Sequence, residues 1–290
     1  MRDVRVLVEA LPYIRDFHGQ TMVIKIGGHA MVSERILEKT IRDILLLYFV
    51  GIKPVVVHGG GPEITEKMEK FGIKPKFVDG LRITDRETIE IVEMVLDGKI
   101  NSKIVSYFIK NGGKAVGMSG KDGLLVVARK KVVKKKIGEQ EVEVDLGFVG
   151  ETEFVNPKIL EVMIDNGYIP VISPVAIDLN GNIYNMNADI VAGDIAGALK
   201  AKKLIMLTDV DGILRDTENK ESLISKLSLD ELERMLKNGN LDGGMIPKAE
   251  AIINALRNGV EKAHIINGSR EHSILIELFT KEGIGTMVYR

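Results

Sequence analysis

Two lysines far apart in the chain, Lys25 and Lys248, each stand beside a glycine turn, and another glycine turn falls between them in sequence. The segments are Lys25-Ile26-Gly27-Gly28, His58-Gly59-Gly60-Gly61-Pro62 and Gly243-Gly244-Met245-Ile246-Pro247-Lys248. Without a Cβ, glycine lets a phosphate reach the backbone amide hydrogens, and a helix starting behind the turn adds the positive end of its dipole. Pro62 suits the first turn of a helix through Glu63-Ile64-Thr65-Glu66-Lys67-Met68, which makes the preceding turn an anion seat. A tight turn alone does not explain three glycines in a row, since each costs roughly 0.5 to 1 kcal/mol relative to alanine. The chemistry these residues suit is the holding of a row of phosphates and the neutralisation of one in transfer.

The better-known phosphate signatures are missing. Gly117-Met118-Ser119-Gly120-Lys121-Asp122 approaches the P-loop pattern but has the wrong glycine spacing and Asp where a hydroxyl is required. No G-x-G-x-x-G follows a strand, so a Rossmann oxidoreductase is disfavoured together with a P-loop kinase. Other polar segments stand where a ligand would be held. Thr208-Asp209-Val210-Asp211-Gly212-Ile213 ends the apolar run Lys203-Leu204-Ile205-Met206-Leu207, suiting either a nucleotide's sugar and phosphates or a plain Asp-Gly turn. In Asn185-Met186-Asn187-Ala188-Asp189, Asn187 can cap a helix and Asp189 sits in its first turn, from where it could hold the two lysines by charge. Arg82 precedes a helix capped by Thr84 or Asp85 and could fork a carboxylate. Lys248 falls in a first helical turn, where the dipole disfavours a cation and phosphate oxygens would offset the cost.

Composition narrows the class. A chain of 290 residues, 45% hydrophobic and 28% charged, can bury one large or two modest cores. A formal charge of −1 and a pI near 6.6 give no field for polyanions, so nucleic acid is not expected as a partner. With no cysteine, disulfides, thiolate zinc sites and thiol catalysis are excluded. The histidines at 18, 29, 58, 264 and 272 never form an i, i+4 pair, so no protein-built metal site is expected. No window approaches a membrane span and the N-terminus lacks a long apolar core, which makes the cytoplasm the expected compartment. The basic run Lys130 to Lys136, followed by alternating Val142 and Val144, reads as a solvated β-hairpin.

The elements that must position these residues follow from periodicity. Val4, Leu7, Val8, Leu11, Ile14 and Phe17 give an N-terminal helix a single apolar stripe, with Pro12 inside the pattern where it should kink the helix. Then come strand 22–26, helix 33–50, strand 54–58, helix 62–71, helices 85–97 and 99–111, and strand 114–118. A β-rich interruption spans 123 to 155, and Asp178-Leu179-Asn180-Gly181-Asn182 signals a second hairpin. Helix 188–200, strand 203–208, helices 229–237 and 245–258, strand 263–267, helix 271–281 and strand 284–289 complete the order. Alternating strands and helices predict an α/β, three-layer αβα sandwich, an open and mainly parallel sheet of about eight strands with β-hairpin insertions and ligands at the carboxyl ends of its strands. No flexible linker separates the halves. The expected parts are an N-terminal helix (1–20) and two lobes, 21–199 and 200–290, on one continuous sheet.

Taken in order, the three glycine segments, Gly80-Leu81-Arg82-Ile83-Thr84, the Asn185 to Asp189 segment, Leu207-Thr208-Asp209-Val210 and Gly283-Ile284-Gly285-Thr286-Met287 resemble the amino acid kinase family over essentially the whole chain. They are most similar to its branch that phosphorylates the side-chain carboxylate of N-acetyl-L-glutamate with ATP in arginine biosynthesis. The resemblance implies an oligomerisation helix in 1–20, an amino-acid-substrate lobe in 21–199 and a nucleotide-binding lobe in 200–290. It also implies that Lys25 and Lys248 stabilise the transferring phosphoryl group and that Asp189 orients them. Gly27, Gly28, Gly60 and Gly61 would donate amide hydrogens, Arg82 would grip the substrate's α-carboxylate, and Asn185 or Asn187 would lie near its acetamido end. Thr208, Asp209, Gly243, Gly244, Met245 and Lys248 would hold the nucleotide together with Gly27, and Mg²⁺ would ride on the ATP phosphates. The N-terminal helix resembles that of arginine-inhibited members, which assemble as trimers of dimers. It implies a homo-hexamer with an allosteric arginine site at Tyr13, His264, Glu277 and Gly283. His29 and Gly268-Ser269-Arg270 depart from the family's commoner wording. Competing readings are an aminoadipate-type kinase of lysine biosynthesis, carbamate or uridylate kinase, and a non-catalytic arginine sensor. Arg82 with the Asn185 segment favours an N-acylated amino-dicarboxylate, and an intact Lys25, Asp189 and Lys248 speak against a pure sensor.

Overall fold

The computed structural model describes residues 2–27, 31, 33–137, 140–216, 218–280 and 283–290. At its centre β1 (Thr21–Ile26) lies in parallel beside β11 (Lys203–Thr208), Met22 opposite Lys203 and Lys25 opposite Met206. On the first side follow β2 (Lys53–His58), β8 (Ile169–Ser173) and β5 (Ala115–Ser119); on the other follow β13 (Lys262–Asn267), β14 (Thr286–Tyr289) and β12 (Lys226–Ser228). The result is one eight-stranded sheet in which the β13–β14 pair alone is antiparallel. Helices cover both faces, which is why the central strands read as unbroken apolar runs.

One face carries Val23, Val55, Leu204 and Met206 under α6 (Lys158–Asp165), α7 (Ala188–Ala198), α8 (Leu229–Lys237) and α9 (Met245–Arg257). The other carries Met22, Ile24, Val56 and Leu207 under α1 (Arg2–Phe17), α2 (Glu34–Phe49), α3 (Gly61–Lys70), α4 (Arg86–Glu93), α5 (Ser102–Lys110) and α10 (Ser273–Phe279). Each core includes residues from before and after position 200, so neither stops where β1 meets β11. Helices α7 and α9 approach so closely that a Cβ on Gly193 would lie 2.6 Å from the Ala251 carbonyl oxygen. That contact brings their first turns together.

Away from the main sheet, β6 (Val126–Ile137) and β7 (Gln140–Val155) form the expected long hairpin. They close with β9 (Val175–Ile177) and β10 (Ile183–Asn185), the second expected hairpin, into a small barrel-like sheet. A short ribbon, β3 (Phe77–Val78) with β4 (Leu81–Arg82), stands beside it.

Two expectations need correction. Strand β8 and helix α6 are absent from the order read above, because Pro170 and Pro174 make that segment look unlike a central strand. Pro170 is tolerated because the pairing of β8 with β2 begins one residue later, at Val171. Helices 85–97 and 99–111 were separated at Asp97-Gly98, yet the chain stays helical there through a π-helical segment, Met94–Asn101. Asp97 is held by the Lys121 ammonium at 2.8 Å and by the Ser173 hydroxyl, which donates to its other oxygen.

Candidate active site

Lys25, near the carboxyl end of β1, places its Nζ 2.9 Å from Asp189 Oδ1. Lys248 comes from the first turn of α9 and places its Nζ 3.1 Å from Asp189 Oδ2 and 3.1 Å from the Gly244 carbonyl oxygen. The three side chains, Lys25, Asp189 and Lys248, stand 59 to 223 residues apart in sequence yet are only 8%, 9% and 13% exposed. Asn187 caps α7, its Oδ1 accepting from the Asp189 and Ile190 amides at 2.9 and 3.2 Å, and so sets the carboxylate in the first turn. Burial alone would raise the Asp189 carboxyl, but the Lys25 and Lys248 charges outweigh it and hold the group below the usual carboxylate range. Oδ1 has no aligned hydrogen-bond donor, so Lys25 is held there by charge, within 2.9 Å. A Cβ on Gly27 would lie 2.1 Å from Lys25 Nζ, so a side chain there would push the ammonium from its place. The charge of Lys248 at a helix start, assigned above to phosphate oxygens, is met here by Asp189 and Gly244.

Two cavities meet at this cluster. The first, of about 260 Å³, is lined by Lys25, Gly27, Gly60, Gly61, Arg82, Asn185, Asn187 and Asp189, with Phe77, Leu96, Val149 and Met186 as apolar walls. Gly28, expected beside them, lies outside the described residues, as does His29. Arg82 is buried, and burial lowers its pKa from the ordinary value. Its Nη2 donates to the Gly61 carbonyl at 2.9 Å and to the Thr65 hydroxyl at 2.8 Å, and its guanidinium lies 4.7 Å from the Phe77 ring centroid. No carboxylate among the described residues pairs with it, so a guanidinium faces this cavity without a counter-ion. Asn185 donates to the Thr84 hydroxyl at 3.2 Å, and that hydroxyl donates to the Arg82 carbonyl at 2.9 Å, tying the two predicted substrate contacts together. Asp85, not Thr84, caps α4.

The second cavity, of about 400 Å³, is lined by Thr208, Asp209, Gly244, Met245 and Lys248. Val210, Gly212, Ile213, Leu214, Asn240, Leu241 and Asp242 complete it, a mixture of apolar faces and polar tips suited to a flat base on a sugar. Gly243 does not line it; its φ of +49° shapes the turn into α9. Gly27, grouped with the nucleotide residues from the sequence, lines the first cavity instead. Sequence reasoning passed over Asn240 and Asp242, which sit in a loop without a motif, and over Thr84 as more than a cap.

Tyr13, His264, Glu277 and Gly283 line a separate cavity of about 720 Å³. It lies at the other end of the sheet, since Lys203 and Thr208 are opposite ends of β11. Within it Lys203 Nζ donates to His264 Nε2 at 2.9 Å, and His264 Nδ1 donates to Glu277 Oε1 at 2.6 Å. Glu277 Oε2 accepts from the Ile284 and Gly285 amides at 2.7 and 3.2 Å. Burial, aided by Lys262, pulls Lys203 down to about 8, and burial likewise lowers His264.

The described residues hold no group of three or more His, Asp or Glu side chains arranged to bind a metal, and no helix among them is long and apolar enough to cross a membrane. A model of the amino acid kinase family matches residues 20–267. The chain is 74% identical to the acetylglutamate kinase of Archaeoglobus fulgidus, over 99% of each chain, and 59% identical to that of Methanocaldococcus jannaschii, over 98% of this chain and 95% of that one. Among solved structures it resembles N-acetylglutamate synthase from Neisseria gonorrhoeae complexed with coenzyme A and N-acetyl-glutamate, with a TM-score of 0.85 and 28% identity over 99% of this chain. The chain spans 63% of that synthase's length. Giardia carbamate kinase shares the fold, with a TM-score of 0.67 at 18% identity. A buried lysine–carboxylate–lysine cluster between two cavities, on this sheet and with these relatives, makes the chain a kinase that belongs to the amino acid kinase family.

Proposed function

We propose that this kinase transfers the γ-phosphoryl group of ATP to the side-chain carboxylate of N-acetyl-L-glutamate, giving N-acetyl-L-glutamyl 5-phosphate and ADP in arginine biosynthesis in the cytoplasm. The observation that carries the reading is Asp189 holding Lys25 and Lys248 at 2.9 and 3.1 Å where the two cavities meet. The curated relatives named acetylglutamate kinase, and the solved synthase complexed with N-acetyl-glutamate, support the choice of acceptor.

In this reading residues 21–199 hold the acceptor and residues 200–290 the nucleotide. The acceptor's α-carboxylate meets Arg82, whose buried guanidinium has no acidic partner among the described residues, and Asn185 and Asn187 face its acetamido group. Its side-chain carboxylate is already ionised at neutral pH, so no base is needed; alignment and positive charge along the donor–acceptor line are enough. Lys25 and Lys248 supply that charge from either cavity, and Asp189 keeps both ammonium groups aimed at one point. Gly27, Gly28, Gly60 and Gly61 offer amide hydrogens, while Thr208, Asp209, Gly244 and Met245 hold the nucleotide. Mg²⁺ held by the ATP phosphates would add to the neutralisation of their charge. An ATP-dependent hydroxamate assay tests the assignment: turnover is expected with N-acetyl-L-glutamate and little with its one-carbon-longer homologue. The reverse preference would favour the aminoadipate-type reading, and no phosphorylation of either alongside arginine binding would favour a sensor.

The 720 Å³ cavity is proposed to take arginine as a feedback inhibitor, with Glu277 accepting from its guanidinium. Val8 and Leu11, 63% and 60% exposed on α1, are proposed to be covered in a homo-hexamer built as a trimer of dimers. A dimeric mass in solution, or turnover unaffected by millimolar arginine, counts against these two parts.

A further inference from the structure

His58 ends β2 fully buried, immediately before the Gly59-Gly60-Gly61 turn that lines the acceptor cavity. Its ring is read from its neighbours. Asn101 Nδ2 lies 2.9 Å from the Val171 carbonyl oxygen and 3.3 Å from that of Met118, so this end of the amide is the donor. The same nitrogen lies 3.1 Å from His58 Nε2, which must therefore present a lone pair. The ring proton then sits on Nδ1, which lies 2.9 Å from the Gly59 carbonyl oxygen and donates to it. Burial keeps the imidazole neutral, lowering its pKa to about 4.

The consequence for the turn is stereochemical. In a trans peptide the C=O and the following N–H point in opposite directions, and the described residues contain no cis peptide. Drawing the Gly59 oxygen toward the buried imidazole turns the Gly60 N–H away from the core and toward the cavity. Neither Gly60 nor Gly61 donates its N–H to a protein acceptor among the described residues. Asn101, which steadies the imidazole, is the last residue of the π-helical segment, and Gly117 leaves it room: a Cβ there would lie 1.9 Å from Asn101 Oδ1.

We propose that His58 is a positioning residue for phosphoryl transfer, its Nδ1–H fixing the Gly59–Gly60 peptide so that the Gly60 amide faces the reacting oxygens, with Asn101 fixing the ring. The proposal rests on the kinase reading of this site. It differs from a packing role, in which any side chain of similar volume would serve.

The test compares His58→Leu, which fills the space without a donor, with His58→Asn, whose amide nitrogen falls near the place of Nδ1. In the hydroxamate assay His58→Leu is expected to lower kcat about tenfold or more, with kcat/KM falling in proportion, as for a donor used in the transition state. His58→Asn should recover most of that loss at an equal melting temperature. A folded His58→Leu enzyme with undiminished kcat, or equal losses in both variants, would overturn the proposal. Neutron diffraction from wild-type crystals near neutral pH provides a reading independent of the variants. A deuteron on Nδ1 is expected; one on Nε2, or on both nitrogens, would also overturn it. Wild-type enzyme that fails to phosphorylate N-acetyl-L-glutamate would sink the acceptor assignment instead, and the diffraction result would still decide how His58 is held.

Discussion

At Asp189 a carboxylate stands between two ammonium groups, so its removal and theirs have separable effects. In the proposed reaction Lys248 neutralises the transferring phosphoryl group, so in Lys248→Ala kcat should fall on the order of 10²-fold or more. A near-normal rate in that variant would remove the role. Asp189→Asn instead leaves two lysines facing each other without compensation in a nearly closed site, and loss of one partner of a buried pair costs about 3 kcal/mol or more. Denaturant unfolding should show this loss in the free enzyme and a smaller one with a non-hydrolysable ATP analogue, whose phosphates take over the carboxylate's charge. Because the folded carboxyl lies below its unfolded value, its contribution is complete above pH about 4 and is lost as pH falls through the folded value. Wild-type stability should therefore decline more steeply in acid than that of Asp189→Asn.

At the scale of elements, one of the polar contacts between α2 and the start of α10, beside those of Arg35 and Lys39 with Glu271, has a measurable pH signature. Asp43, buried on α2, accepts from His272 Nδ1 at 2.7 Å at the start of α10. Burial pushes its carboxyl from 3.8 to about 6, against the lowering effects of His272 and Lys39. The folded state thus holds this proton more tightly than the unfolded one. Its favourable contribution is present below pH about 4 and is lost as pH rises to about 6, a change of roughly 3 kcal/mol at most. Asp43→Asn should flatten the dependence of stability on pH across that interval; an unchanged slope would show that Asp43 does not set it. Elements were legible where the signal was local: α2 lies within the expected 33–50, Asn187 caps α7, and the two hairpins lie where alternation and turn residues marked them. They were not legible at β8, where proline hid a strand that β2 and β5 stabilise from either side. Nor was the π-helical segment, which Asp97 joins to Lys121 and Ser173 far along the chain.

At the scale of the whole molecule, the cavities proposed for acceptor and nucleotide sit on either side of a β1–β11 pair inside one sheet, and both apolar cores cross that line. Neither half can lose its core while the other keeps its own. Calorimetry should therefore show one unfolding transition, raised as a whole by an ATP analogue, with about 2.7 kcal/mol of stabilisation at a concentration one hundred times Kd. Two transitions, only one of them shifted by nucleotide, would contradict a shared core. The third cavity, beyond the opposite end of β11, is linked to the site through that same strand.

What the sequence determined by itself was whatever a few consecutive residues can specify: glycine turns behind apolar strands, helix caps, lysines at strand and helix ends, and the alternation that implies a layered α/β fold. Those signals are local because backbone sterics and hydrogen bonding act over one strand or one helical turn. Tertiary structure alone decided that Lys25, Asp189 and Lys248 meet, that Arg82 is buried with no counter-ion among the described residues, and that Asn101 reaches His58. These depend on strand order and on the close approach of α7 to α9, where packing across the sheet brings together side chains that no local propensity relates.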